Sequence, residues 1–290
     1  MKTINVRAHA KVNLTLEVLG RRTDGFHEVA SIMQTISVSD ELSFQPAGEL
    51  DLRCDSGLLN NPSNLVFQAA LMLQRRYGVE TGACIHLKKG IPVAAGLGGG
   101  SSDAAATLWA LNQVWSLHRP TEELAALASQ LGADVPFFLT GGACLAEGRG
   151  ERLTPVSNPP ETWLVVVLPA VTIPNKTAEM YRRLPSNAWT RGEATGNLKR
   201  RLEHGSPLRD SALFNVFTNL AADVFPEVGM CRSALLEAAW ARPVLAGAGP
   251  ALFVMVADQT LGNSVAEALR GPGVECWVAR TVPTAREELS

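Results

Sequence analysis

With 290 residues, 46% hydrophobic and 19% charged, the chain has a soluble globular balance and material for one large or two medium cores, so two domains are expected. Twenty-six Lys and Arg against 28 Asp and Glu give a formal charge of −2. That balance excludes a global field for nucleic acid or an anionic membrane surface, so a bound anion must be held locally. The longest apolar stretches, residues 163–168 and 250–257, fall well short of the roughly 20 residues that span a bilayer.

The chain opens with Lys2, Arg7, Lys11 and Glu17 set among apolar positions, which leaves no continuous hydrophobic run for a secretory signal and reads as a mature, cytoplasmic start. Val12, Leu14, Leu16 and Val18 alternate with Asn13, Thr15 and Glu17, the period-two pattern of a half-buried strand, and Thr23-Asp24-Gly25 marks a turn. Two further strands are predicted at 29–38 and 41–45. Pro62-Ser63 enters a helix on which Val66, Ala69, Leu73 and Tyr77 share a face, ended by Gly78. A strand at 83–88 leads into a glycine-rich loop and then a helix carrying Ala104, Leu108, Leu111 and Trp115. Another helix starts at Thr121, with Glu122 and Glu123 at its positive dipole end, and closes at Gly132. Around 153–161 the apolar period disappears into Thr-Pro and Ser-Asn-Pro-Pro, where a domain boundary is expected, giving units 1–155 and 156–290. The second unit reads as a strand at 162–168, helices near 176–184, 212–223 and 228–240, a strand at 251–257, a helix at 260–270 and a strand at 274–279. Seven basic against three acidic residues between Arg182 and Asp210 read as a solvated loop face, favoured over an anion-binding lid. Cys54, Cys84, Cys144, Cys231 and Cys276 contain no C-x-x-C and read as buried thiols, and the five scattered histidines give no metal-ligand spacing.

The chemistry concentrates in Pro92-Val93-Ala94-Ala95-Gly96-Leu97-Gly98-Gly99-Gly100-Ser101-Ser102, four glycines and two hydroxyls directly before a helix. Glycine lets the backbone N–H groups wrap phosphate oxygens, and the helix start adds free donors and a positive dipole end. A flexible surface loop is the bland alternative. The loop is not a Walker A, since Ser-Ser-Asp follows the glycines where Lys-Ser/Thr is required. It is not a dinucleotide fingerprint, because Ser101 stands where the last glycine belongs, nor a nucleophile elbow, because Asp103 stands where Gly is needed.

This segment resembles the second motif of the GHMP kinases, Pro-x-x-x-Gly-Leu-Gly-(Gly/Ala)-Gly-Ser-Ser, with every constrained position filled. Ala10-Lys11-Val12-Asn13-Leu14 resembles the N-terminal signature of that group. Leu131-Gly132-Ala133-Asp134-Val135-Pro136 and Asp24-Gly25-Phe26-His27 resemble elements of its diphosphocytidyl-methylerythritol kinase family. Ala246-Gly247-Ala248-Gly249-Pro250 stands where the third motif belongs, without the hydroxyl residues of the usual Ser-Gly-Ser-Gly-Pro. The resemblance implies an α+β, two-domain GHMP kinase fold: an N-terminal domain like ribosomal protein S5 domain 2, a ferredoxin-like C-terminal domain, and an active site between them. It further implies ATP-dependent phosphorylation of the 2-hydroxyl of a cytidine-diphosphate-linked methylerythritol, in non-mevalonate isoprenoid precursor synthesis. Asp134 would be the base and Lys11 its cationic partner. ATP would lie on residues 92–102 with Asn64 and Lys89, and Asn13, Phe26, His27 and Tyr181 would hold the acceptor. ATP is the implied donor and Mg2+ its companion, with Ser102 the candidate metal ligand. Read from the residues alone, Asp134 beside Val135-Pro136-Phe137-Phe138-Leu139 would be surrounded by apolar groups and need a partner to stay ionised. The partner implied is a small molecule, not nucleic acid or membrane. Rival readings are a homoserine or mevalonate kinase-like enzyme, a non-catalytic nucleotide-binding regulator on the same scaffold, and a structural or RNA-binding protein, which would be more basic.

Overall fold

The structure, a computed structural model, describes residues 3–289. The alternating segment around Val12 extends into a long strand β1 (Ile4–Arg21), antiparallel to a still longer β2 (His27–Ala47). Two separate strands were expected within β2. The register slips where His9 faces Ser39 and Ala10 faces Ile36, so a bulge that reads as a break in the alternation leaves the strand continuous. The chain goes on through β3 (Asp51–Cys54), α1 (Leu65–Tyr77), β4 (Gly82–Lys88), α2 (Gly99–Val114) and α3 (Thr121–Leu131), then β5 (Ala143–Gly148) and β6 (Arg152–Pro155). Asn64 caps α1 by accepting from the Val66 N–H, and Gly78 ends it in the left-handed region at φ 63°.

The second half runs β7 (Trp163–Pro169), α4 (Lys176–Arg183), α5 (Glu193–Glu203), β8 (Phe214–Asn215), α6 (Phe217–Val224), α7 (Pro226–Ala239), β9 (Val244–Leu245), β10 (Leu252–Val256), α8 (Gln259–Leu269), β11 (Val274–Arg280) and β12 (Arg286–Leu289). The basic stretch read as a solvated loop face contains α5, whose Thr195, Leu198 and Leu202 are buried, so its Lys199, Arg200 and Arg201 are carried on an amphipathic helix and not on a loop. The helix expected over 212–223 begins later, at Phe217, because Phe214–Asn215 first pairs in parallel with β1. Of the cysteines, Cys84 and Cys276 are only half-buried, and all five thiols are free.

Two sheets result. The first orders β12-β1-β2-β4-β3, with β5 on β2, β6 on β5 and β8 on β1; the second orders β11-β7-β10-β9, antiparallel throughout. With helices between β7 and β9 and between β10 and β11, that second order is the split β-α-β arrangement of a ferredoxin-like layer. One core joins α1, α2 and α3 to the first sheet. A second lies behind the second sheet, under α6, α7 and α8. Between them Val12, Leu14, Ile32 and Ile36 meet Leu164, Val166, Phe253 and Ala279, so the sheets share an apolar seam. Each such aliphatic side chain contributes about 1.5–3 kcal/mol on burial, which keeps the two halves in fixed register. Among the described residues no helix is long and apolar enough to cross a membrane.

Candidate active site

β1 sorts its side chains by face. Val12 and Leu14 enter the seam between the sheets, whereas Lys11 and Asn13 point the other way. The Lys11 backbone N–H donates to the Leu97 carbonyl at 2.9 Å, which stitches β1 to the glycine loop. Lys11 Nζ donates to Asn13 Oδ1 at 2.8 Å, Asn13 Nδ2 to Ser31 Oγ at 2.8 Å, and Ser31 Oγ to the Thr15 carbonyl at 2.6 Å. This relay fixes the ammonium, whose side chain is only 5% exposed.

Asp134 Oδ2 lies 3.5 Å from Lys11 Nζ. The expected apolar envelope does not close over it. Val135, Phe137, Phe138 and Leu139 turn into the core, while the Asp134 side chain keeps 38% of its surface open to a cleft of about 1560 Å³. The short helical turn at Pro136–Leu139 separates the two sides, a local geometry that a linear reading of the neighbours misses.

The glycine loop closes the site from below. Gly98 caps α2 in the left-handed region at φ 75°, with no side chain capping the helix, so the first turn presents free backbone N–H groups to the cleft. Gly96, at φ 92°, packs against the third glycine segment: a Cβ there would stand 2.2 Å from the Ala246 carbonyl oxygen and 2.9 Å from that of Gly249. The Ala251 N–H donates to the Ala95 carbonyl at 3.1 Å, tying the second sheet to the loop.

The remaining residues singled out in the sequence divide. Pro92, Val93, Ala94, Ala95, Gly96, Leu97, Gly98, Gly99, Gly100 and Ser101 line the cleft, as do Asn13, Asn64, Lys89, Phe26, His27 and Tyr181. Ser102 does not. It is buried, its hydroxyl donates to the His9 carbonyl at 2.7 Å, and it is not among the residues that line the cleft. Lys89 is not a free cation either. Its Nζ donates to Asp40 at 2.6 Å and Asp103 at 2.8 Å, and burial, reinforced by the Asp40 charge, pushes the Asp103 carboxyl well above the usual range. Asn64 spends its carbonyl on the α1 cap and its amide N–H on the Leu59 carbonyl at 3.0 Å.

On the opposite wall the aromatic groups gather. The His27 ring lies 5.0 Å from Tyr181 and 6.3 Å from Trp189, and Tyr181 packs edge-on to Phe217 at 4.9 Å. Burial, with the Asp134 charge behind it, pushes the Tyr181 phenol up to about 12, and burial followed by Arg21 lowers His27. Phe26 is 55% exposed at the rim with the Arg149 guanidinium 4.9 Å over its ring. Trp189, Phe217, Arg149, Arg21 and Lys176 are cleft residues that the sequence reading does not name. Lys176 follows Ile173-Pro174-Asn175, and Trp189 lies inside the basic stretch; nothing in their spacing points to a site.

The comparisons with known proteins agree with this geometry. The GHMP kinases N terminal domain family matches residues 64–142. A 4-diphosphocytidyl-2-C-methyl-D-erythritol kinase of Dehalococcoides mccartyi is 39% identical over 280 residues, covering 96% of this chain and 98% of that protein. Among solved structures, that of a 4-(cytidine 5'-diphospho)-2C-methyl-D-erythritol kinase superposes with a TM-score of 0.83 at 33% identity, over 96% of this chain and 98% of the other. A homoserine kinase from Cytophaga hutchinsonii superposes with a TM-score of 0.78 at 19% identity, over 100% and 98%, a likeness of fold alone.

Proposed function

This chain belongs to the 4-diphosphocytidyl-2-C-methyl-D-erythritol kinases among the GHMP kinases, and from that membership we propose that it transfers the γ-phosphoryl group of ATP to the 2-hydroxyl of 4-diphosphocytidyl-2-C-methyl-D-erythritol, a step of isoprenoid precursor synthesis. The observation that carries the reading is the Lys11–Asp134 pair, 3.5 Å apart, in one cleft with the N-terminus of α2 and the His27–Tyr181 wall. Phosphoryl transfer asks mainly for positioning and charge stabilisation, and this set of groups supplies both.

The roles follow from the chemistry of each group. The Asp134 carboxylate, open to the cleft, accepts the proton of the acceptor hydroxyl as that oxygen bonds to the γ-phosphorus. The bond to the β–γ bridging oxygen breaks and ADP leaves with that oxygen. Lys11, held by Asn13, faces both the acid and the transferring group, so it keeps Asp134 ionised and offsets the phosphoryl charge. Asn13 orients Lys11 and the acceptor. Residues 92–101 cradle the phosphates, the N–H groups of 93–101 donating, with Lys89 and Asn64 beside them. Phe26, His27 and Tyr181 receive the cytosine, whose faces suit aromatic stacking. Two working units, 1–155 and 156–290, meet across the cleft, with Arg286–Leu289 returning to pair with β1.

Magnesium would arrive with the triphosphate. Among the described residues no three His, Cys, Asp or Glu side chains gather to hold a metal. Ser101, Asp103 and Asp134 are oxygen donors that the lining adds around the α2 N-terminus. When bound, the ion would neutralise β- and γ-phosphate charge.

The test is ADP release from Mg-ATP with and without the diphosphocytidyl acceptor, run alongside homoserine and mevalonate. Acceptor-dependent release with the first alone is expected. Release driven equally by homoserine or mevalonate would transfer the assignment to another GHMP kinase.

A further inference from the structure

Most cationic groups lining the cleft already have a carboxylate. Lys11 pairs with Asp134, Lys89 with Asp40 and Asp103, Arg149 with Glu151, and Arg182 with Glu179. Among the described residues Arg21 has none but is exposed, whereas Lys176, the first residue of α4, is half-buried. Among the described residues its Nζ has no carboxylate within ion-pair reach, and its hydrogen-bond partner is the carbonyl of Ala94, across the cleft in the glycine loop. Ala94 itself stands at φ 57°, an unusual conformation for a residue with a Cβ, and it turns that carbonyl toward the second half of the chain.

An ammonium carries three donors, and a single carbonyl uses one of them. A half-buried ammonium without a counter-charge, set beside a second ammonium, is unfavourable unless an anion joins them. Burial, and then the charge of Lys11, lowers the Lys176 ammonium to about 8, the direction expected of a cation waiting for its counter-ion. A lysine that served only to fasten α4 to the loop would gain nothing from lying within the field of Lys11.

We propose that Lys176 is a second phosphate-binding cation of this kinase, delivered from the C-terminal half, which together with Lys11 grips the γ-phosphate of the nucleoside triphosphate between α4 and the glycine loop. The γ-phosphate is the anion selected because Lys11 faces the transferring group, whereas the β-phosphate is served by backbone N–H groups at the start of α2. The inference rests on the kinase reading given above.

Three variants separate charge from fastening. Lys176→Met removes both, Lys176→Gln keeps an N–H for the Ala94 carbonyl without the charge, and Lys176→Arg keeps the charge. Isothermal titration would measure a non-hydrolysable ATP analogue with magnesium, ADP with magnesium, and the diphosphocytidyl acceptor, with circular dichroism as a check on folding. The Met and Gln variants should each lose about 10- to 100-fold in affinity for the analogue, the range of a charge-assisted hydrogen bond in a partly buried site. Their affinity for ADP and for the acceptor should stay within about threefold of the parent, well below that range, and Arg should recover most of the loss. Recovery by Gln would show a fastener and overturn the proposal. So would equal losses for ADP and the analogue, or a loss confined to the acceptor, whose own diphosphate would then be the ligand. Because these are binding measurements on each ligand, they remain decisive if the parent protein fails to turn over the acceptor, an outcome that would instead sink the kinase reading. If the Met variant does not fold, the Gln and Arg pair still decides.

Discussion

Gly96→Ala tests whether the phosphate loop is held in shape by the second half of the chain. The added Cβ would stand 2.2 Å from the Ala246 carbonyl oxygen and 2.9 Å from that of Gly249, both of them backbone, so no flexible side chain can move aside. Restoring an ordinary contact needs a shift of roughly 1 Å between the loop and the 246–250 segment, since non-bonded carbon approaches other heavy atoms to about 3.5 Å. That shift stretches the 3.1 Å bond from the Ala251 N–H to the Ala95 carbonyl, whose loss costs about 0.5–1.5 kcal/mol. The φ of 92° adds about 1–2 kcal/mol for any residue with a Cβ. Gly205→Ala is the control: it sits at φ 66° with nothing within 4 Å of the new Cβ, so it carries the backbone strain alone. In urea titrations Gly96→Ala should therefore lose about 1.5–3.5 kcal/mol and Gly205→Ala about 1–2 kcal/mol. Where Gly96→Ala remains folded, ATP turnover should fall by about 100-fold, the typical effect of a 1 Å misplacement of a positioning element. A folded Gly96→Ala with parental stability and parental ATP turnover would refute the claim that these two backbones set the loop.

Asp134→Asn should lower kcat by at least about 100-fold with ATP binding nearly unchanged, since a general base contributes about 10²- to 10⁴-fold; steady-state kinetics beside nucleotide titration check it, and near-normal turnover would remove Asp134 from the mechanism. Phe26→Ala should weaken the cytidine-bearing acceptor by about 1–3 kcal/mol, the worth of one base stack, while leaving ATP affinity alone; titration of each ligand separately reads the difference, and an equal loss for both would make Phe26 a structural residue. Burial lowers the pKa of His9 below its usual 6.5 despite the opposing pull of Glu287 at 3.5 Å. The unfolded chain then binds a proton that the folded one resists, so this group's contribution is present above pH 6.5 and is lost as pH falls below it. Urea unfolding at pH 7.5 and pH 5.5, values that bracket the reference histidine pKa of about 6.5, should show a larger acid loss in the parent than in His9→Gln; equal losses would place the sensitivity elsewhere.

How far the sequence carries depends on whether a feature is local. The glycine loop, the helix end at Gly78 and the alternation around Val12 are written in consecutive residues, and the fold realises them in register. α5 was hidden because its buried face is three residues, Thr195, Leu198 and Leu202, among many charges. β5, β6, β9 and β12 are short, and pairing with distant strands rather than local propensity makes them. The same distinction divides the cleft. Lys11, Asn13 and Asp134 sit within signatures, whereas Trp189 and Lys176 are brought to the cleft by the docking of the second half along an apolar seam, and Arg149 by the turn between β5 and β6. Ser102 errs the other way: the motif names it, and the helix geometry points its hydroxyl at His9.

The third glycine segment shows why a motif can lose its hydroxyls without losing its place. Ala246 is fully buried, with its N–H donating to the Ala251 carbonyl at 2.8 Å and its carbonyl accepting from the Gly249 N–H at 2.8 Å. That same carbonyl lies against Gly96, so the contact with the phosphate loop is made by backbone. Asn215 braces the segment from behind, its amide donating to the Leu245 and Gly247 carbonyls at 2.8 Å each. Gly247, at φ 57°, approaches the Lys11–Asn13 pair: a Cβ there would stand 3.4 Å from Lys11 Nζ, 3.6 Å from Asn13 Oδ1 and 3.0 Å from the Gly96 carbonyl oxygen. The chemical demand at this segment is therefore small volume and a left-handed turn, which glycine meets and which a flanking Ala satisfies as well as Ser does.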